Sequence, residues 1–187
     1  LGTEYMPREV NQQPGAWLSA ADFIISKKNE IAEILAQGEQ IILSGAGTSD
    51  YVGRSVETLL RHRLGKDVKS RPSTDLVTDP EGLFPQKPFV LVSFARSGNS
   101  PEGNAAFNLA NQLRPEFAHH IVVTCNPDGE LAALAKESKT PALLVLMPPE
   151  TNDKALAMTS SYSSMVIAAQ GFAYLADTET YRRQVEQ

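Results

Sequence analysis

Apolar positions change period several times along the chain, and each change marks a new element. From residue 14 to 37, Trp17, Ala20, Ala21, Ile24, Ile31, Ile34 and Leu35 recur at helical spacing, and Gly38 follows as a stop. Residues 40–44 form a short apolar strand, Gly45-Ala46-Gly47 turns the chain, and Ser49 is predicted to cap a helix running to Leu64 before Gly65. Residues 67–71 alternate as a strand, and Pro72, Ser73, Thr74 and Asp75 read as a loop. The run 89–94 is a strand, followed by a helix from Pro101 to about Leu113 that Pro115 ends. A strand at 121–125 closes on the turn Asn126-Pro127-Asp128-Gly129. A short helix at 130–136, a strand at 142–147, a loop through 148–154 and a long helix at 158–175 complete the pattern.

Five strands alternating with helices predict an α/β fold: a five-stranded parallel sheet sandwiched by helices, flavodoxin-like and doubly wound. The strands are near-continuous apolar runs, as burial on both faces requires. In such a sheet, ligands sit beyond the carboxyl ends of the strands. Three strand ends carry hydroxyl-rich turns, at 44–49, 94–100 and 150–161. Residues 1–38 read as a helical leader and 177–187 as a polar tail with nothing to pack against. The helix at 158–175 is apolar nearly all round, which predicts burial, self-association or docking through it.

Charge narrows the partners. The 187 residues include 17 basic and 22 acidic side chains, a formal net charge of −5, which argues against broad binding of nucleic acid or an anionic membrane. Any basic group that recognises an anion must therefore act inside a small pocket. The apolar runs are too short to span a bilayer, and residues 1–16 lack the apolar core of a secretory signal. One cysteine, Cys125, forms no internal disulfide and fits a reducing cytoplasm, the expected compartment. The leading leucine in place of methionine reads as a processed or excised piece.

The stretch from Ser93 to Glu102 carries the most chemistry. A strand stops in small polar residues and a helix starts at once, with Ser100 as cap, Pro101 in the first turn and Glu102 where the helix dipole favours an acid. Arg96, Ser97, Gly98 and Ser100 precede that terminus. Free amides, short hydroxyls and a fixed cation together suit a phosphate monoester. Gly45-x-Gly47 could open a dinucleotide fingerprint, but Asp50 stands where a third glycine is needed and would repel a pyrophosphate unless it faced away.

Taken in order, these turns resemble the sugar isomerase (SIS) family. Gly45-Ala46-Gly47-Thr48-Ser49 is similar to its first motif, Ala95-Arg96-Ser97-Gly98-Asn99-Ser100 to its second, and Pro149-Glu150 with Ala157-Met158-Thr159 to its third. The likeness covers about residues 39–176. Ala95 replaces a family hydroxyl and Arg96 occupies a variable position, so the lost donor is offset by charge. The wording is closest to the galactosamine-6-phosphate deaminase/isomerase branch, which includes tagatose-6-phosphate ketose/aldose isomerases. That likeness rests on Gln13-Pro14 with Trp17, Thr74 through Thr78, the run Ser97-Gly98-Asn99-Ser100-Pro101-Glu102, and Ala157-Met158-Thr159-Ser160-Ser161.

The resemblance implies a phosphosugar-binding domain that is one lobe of an enzyme, without cofactor or metal. It implies phosphate and sugar contacts from Gly47, Thr48, Ser49, Arg96, Ser97, Ser100 and Thr159, a second SIS domain as partner beyond 177–187, and homo-oligomers. The alternative is a non-catalytic sugar-phosphate-sensing module. Glu150 is the best-placed candidate for a catalytic carboxylate, and a solvated loop acid is the other reading of it. Asp75 is either a site acid or an Asx-turn residue. His62, His119 and His120 read as surface residues, and Cys125 as a small buried one.

Overall fold

The alternation of apolar side chains along each strand divides the interior into two layers. Residues 4–187 are described in a computed structural model; residues 1–3 of the expected leader lie outside them. Five strands, β1 (Gln40–Gly45), β2 (Asp67–Pro72), β3 (Phe89–Ala95), β4 (Ala118–Thr124) and β5 (Ala142–Leu146), form one parallel sheet in the order β2-β1-β3-β4-β5. Ile41, Leu43, Val90, Val92, Phe94, Ile121, Val123 and Val145 face one layer. Ile42, Phe89 and Leu91 face the other, and Val122 lies in a smaller cluster beside Phe107 and Leu131. Burying each large apolar side chain contributes about 1.5–3 kcal/mol, so both faces must be covered.

Covering is done by α1 (Met6–Asn11), α2 (Gln13–Ser26), α3 (Lys28–Gln37), α4 (Thr48–Leu64), α5 (Ser73–Thr78), α6 (Pro80–Leu83), α7 (Pro101–Leu113), α8 (Glu130–Glu137), α9 (Ser160–Gly171) and α10 (Thr178–Glu186). Residues of α2, α3, α4 and α9 join the first layer, and those of α5, α6 and α7 the second. Buried Arg114 anchors the second layer, donating to the carbonyls of Phe84 and Leu113 and to a carboxylate oxygen of Glu81 at 2.8 Å.

The predicted elements hold, with five corrections. The single leader helix is broken at Lys27, whose φ of −99° and ψ of 6° leave the helical region, and α1 precedes it. Pro72 to Asp75 is not a loop: Ser73 begins α5, and Asp75 stands in its first turn rather than in an Asx turn. The tail folds as α10, with Tyr181 buried against Gly171 and its hydroxyl donating to the Ile167 carbonyl at 2.7 Å. The long helix ends at Gly171 and continues as a 3-10 turn (Phe172–Tyr174), and its apolar surface is covered by α2, α4 and α10 of the same chain.

The fifth correction is His120. It lies in β4, fully buried, with its ring 4.1 Å from that of Phe107 and Nε2 2.9 Å from Asn111 Oδ1. Burial first, and the neighbouring His119 second, push its pKa down to about 3. The unfolded chain therefore takes up a proton near the ordinary pH of about 6.5 that the folded chain refuses. Stability is expected to fall as pH drops below that value, by about 1.4 kcal/mol per pH unit from this residue. Urea titrations at pH 6, 5 and 4 should show that extra slope lost in His120→Leu; equal slopes in both proteins would disprove it.

Candidate functional site

The order β2-β1-β3 sends the crossovers after β1 and β3 to opposite faces, which opens a gap at the carboxyl ends of these two strands. A cavity of about 160 Å³ occupies the gap. Ser49, Arg96, Ser97, Gly98 and Ser100 all line it, so the turns after β1 and β3 meet in one pocket. Ser44 and Ser93 are register partners on adjacent strands and line it too, with Ser73 and Asn104.

Local structure explains why these groups are available. Gly45 has no room for a side chain, since a Cβ would come within 2.4 Å of the Ser49 carbonyl carbon; α4 thus starts directly on the strand. The N-cap of α4 is Gly47, not Ser49 as expected, and Ser49 lies inside the first turn with no protein partner for its hydroxyl among the described residues. Ser100 does cap α7, accepting from the Gly103 amide at 3.1 Å. Gly98 sits at φ 68°, a left-handed conformation that side-chain-bearing residues rarely adopt. The turn is pinned from α8 and the loop before it: the Leu131 amide donates to the Gly98 carbonyl at 2.9 Å, Asn126 Nδ2 to that of Ser97 at 2.9 Å, and the Glu130 amide to Asn99 Oδ1 at 3.0 Å. The amides of Ser97, Gly98 and Ser100 find no protein acceptor among the described residues.

Electrostatics favour an anion there. Arg96 is the charged side chain of the lining, half-buried, with Nη1 2.9 Å from the Ala155 carbonyl. Asp50 is not part of the lining and accepts from Arg54 Nε at 2.6 Å, so the carboxylate that would oppose a phosphate is turned to its own cation. No carboxylate or imidazole lines the pocket among the described residues.

Other expected site residues lie elsewhere. Gly47 and Thr48 are exposed outside the lining. Thr159 is outside it as well, its neighbour Met158 taking that place; its amide donates to Asp153 and its hydroxyl oxygen is buried without a partner. Glu150 does not reach the pocket: it is exposed in the 3-10 turn Pro149–Thr151 and lines a separate cleft against α1. Its backbone carbonyl is held by Gln12 Nε2 at 2.7 Å, which fixes the turn away from the serines. Cys125 is buried, and burial pushes its thiol up to about 12, which fits an inert core residue. No group of three or more His, Cys, Asp or Glu could hold a metal ion, and no helix is long and apolar enough to cross a membrane, among the described residues.

Sequence reasoning gave no individual site role to Ser44, Ser73, Ser93, Asn104 or Asp153, although Ser44 and Ser93 open two of the stretches it singled out. A signal existed for Ser44 and Ser93: each is a polar residue at the end of an otherwise apolar strand. Asp153 is buried and organises the 153–161 segment, with Oδ2 accepting from the amides of Thr159 and Ser161 and the Ser161 hydroxyl, and Oδ1 from Ser160. It thereby satisfies the start of α9 from a distance.

Pocket and fold together define a parallel α/β domain with a hydroxyl-lined cavity at its switch point, and the chain belongs to the SIS domain family, whose model matches residues 34–175. It is 45% identical over 164 residues to D-galactosamine-6-phosphate deaminase AgaS of Escherichia coli O157:H7, covering 84% of this chain and 42% of that protein. It is 37% identical over 175 residues to the protein of that name from Shewanella sp. (strain ANA-3), covering 89% and 45%. A crystal structure of tagatose-6-phosphate ketose/aldose isomerase from Escherichia coli superposes with a TM-score of 0.87 at 37% identity, covering 97% of this chain and 51% of that one. The chain thus spans less than half the length of the two curated relatives and about half of that solved one.

Replacing Asp153 by alanine strips four donors of their acceptor at once. The expected loss is on the order of 3–5 kcal/mol, the range for removing one side of a buried charged network. Chemical denaturation measures it, and a loss below about 1 kcal/mol, the scale of one ordinary hydrogen bond, would show that the segment is held by other contacts.

Proposed function

We propose that this chain is the phosphosugar-binding lobe of an amino-sugar-phosphate deaminase/isomerase. The reaction converts galactosamine 6-phosphate to tagatose 6-phosphate and ammonia, or carries out the related ketose/aldose isomerisation. The observation that carries the reading is the meeting of Ser49, Arg96, Ser97 and Ser100 around one small cavity at the switch point of the sheet. The relatives' names support the substrate class.

In this reading the ester phosphate sits against the α4 and α7 termini, taking hydrogen bonds from the Ser49, Ser97 and Ser100 hydroxyls and the free amides of the 97–100 turn. Arg96 neutralises part of its charge. Holding the phosphate positions C1 and C2 of the sugar beyond the mouth, where a base moves the proton between them. For an amino sugar that transfer gives an imine, and addition of water to the imine carbon releases ammonia. The pocket lining supplies the clamp and neither a base nor an acid. Both are assigned to a second SIS domain or a neighbouring subunit, and the cytoplasm and a homo-oligomer belong to the same proposal.

A bare pocket also suits a second reading, a non-catalytic sugar-phosphate sensor. The two separate on the residues beyond Gln187 in a longer parent chain: another hydroxyl-rich strand–turn–helix set there supports the enzyme. Calorimetry with galactosamine 6-phosphate tests the clamp. Ser97→Ala and Arg96→Ala should each weaken binding about tenfold or more, since a hydrogen bond to a charged group contributes about 1.5–3 kcal/mol. Unchanged affinity in both variants would overturn the assignment. The isolated chain should release little or no ammonia from the same compound in a coupled assay, and rapid release would place the base within it.

A further inference from the structure

The guanidinium that lines the serine pocket is held by a single hydrogen bond. Arg96 Nη1 donates to the Ala155 carbonyl at 2.9 Å, and Arg96 forms no ion pair and no other side-chain hydrogen bond among the described residues. A guanidinium carries its N–H donors in one rigid plane, so fixing one nitrogen restricts the direction of the others. Where Ala155 sits therefore sets what the pocket presents to an anion.

Ala155 belongs to a strap with few polar contacts. Residues 152–159 lie outside any helix or strand. Within 154–158, the hydrogen bonds among the described residues are the one from Arg96 and two made by backbone amides. Those amides, of Lys154 and Ala155, donate to Glu9 Oε1 at 2.6 and 3.1 Å. Leu156, the next residue, is 91% exposed and adds almost no packing. The strap is fixed again only at Thr159, whose amide donates to Asp153 at 2.8 Å. Bonds from amides to a carboxylate are roughly twice as strong as neutral ones, so Glu9 is the main polar hold on Ala155.

Glu9 is buried in α1, outside the residues matched by the family model, and is not part of the serine-pocket lining. Its Oε2 is buried without a partner. For stability alone such an oxygen is a cost, so the carboxylate is better explained by what Oε1 holds. We propose that Glu9 is a positioning residue for the serine pocket. It fixes the two amides of the strap, which directs the Ala155 carbonyl at Arg96 and holds the guanidinium where a bound anion meets it. The effect on a phosphate ester rests on the reading of the serine pocket given above; the hold on Arg96 does not.

Two measurements test it. Without ligand, the Arg96 Nε–H resonance is followed by NMR in the isotopically labelled chain. It is expected to shift in Glu9→Ala and to return to its original position in Glu9→Gln, which keeps an acceptor oxygen for the two amides. An unmoved resonance in Glu9→Ala overturns the proposal. With galactosamine 6-phosphate, calorimetry on the unaltered chain, Glu9→Ala, Arg96→Ala and the two together forms a cycle in which coupled residues do not add. Glu9→Ala should weaken binding severalfold when Arg96 is present and not at all when it is absent, while Glu9→Gln binds like the unaltered chain. Equal weakening in both backgrounds would mean a general loosening of the domain and would overturn the proposal, as would Glu9→Gln binding as weakly as Glu9→Ala. If Glu9→Ala does not fold, Glu9→Asp, one methylene shorter, replaces it in both measurements with the same expected signs. If Arg96→Ala itself leaves affinity unchanged, the clamp reading fails, and the resonance without ligand alone decides the role of Glu9.

Discussion

Everything at the site depends on one constraint of chain geometry. β1 and β3 are parallel neighbours whose following helices must leave to opposite faces, so nothing fills the space above their carboxyl ends. The register pairs Ser44 with Ser93 and Gly45 with Phe94, which brings both strands to their turns at the same height. Helices α4 and α7 then begin on either side of the gap, and in the turn before α7 the amides of Ser97, Gly98 and Ser100 have no protein acceptor among the described residues. The close approach of Gly45 to Ser49 and the left-handed Gly98 let the two turns stay short. Longer turns would fill the gap that the topology opens.

In a protein of net charge −5, the field at this pocket is set locally. Arg96 is inside the lining, Asp50 is bound to Arg54, and Glu150 is carried away by its 3-10 turn. Most of the donors are neutral hydroxyls and amides. Such donors suit an anion without a second desolvated cation, and their number matters more than the charge of any one.

Much of this was legible in the sequence, and the exceptions share a cause. Strands with apolar residues on both faces announce a covered parallel sheet, and Ser100-Pro101-Glu102 announces a helix start, because both are local patterns. Local reading fails where a distant partner decides. His120 looks like a surface residue until Phe107 and Asn111 enclose it. Residues 177–187 look like a free tail until Gly171 offers a flat surface to Tyr181. Glu150 and Thr159 sit in the right turn of the chain, yet Gln12 and Asp153, bound through contacts invisible in a linear scan, turn them from the pocket. Thr48 is one residue from Ser49, and the helical rotation of about 100° per residue places it outside.

The leader also acquires a reason to be part of the domain. Trp17 Nε1 donates to Ser163 Oγ at 2.8 Å, and Ser163 Oγ donates to Gln13 Oε1 at 2.7 Å, while Gln12 Nε2 reaches Ser160 Oγ at 2.9 Å. These bonds fasten α2 to the start of α9, the same end that Asp153 caps. Glu9 holds the segment just before it through two amides. Arg96 leans on the Ala155 carbonyl of that segment, so the cation of the pocket rests on a scaffold built by residues 9–17. A leader that only covered apolar surface could be exchanged for any amphipathic helix. One whose polar residues meet Ser160, Ser163 and the 154–155 amides is tied in sequence to the turn it supports.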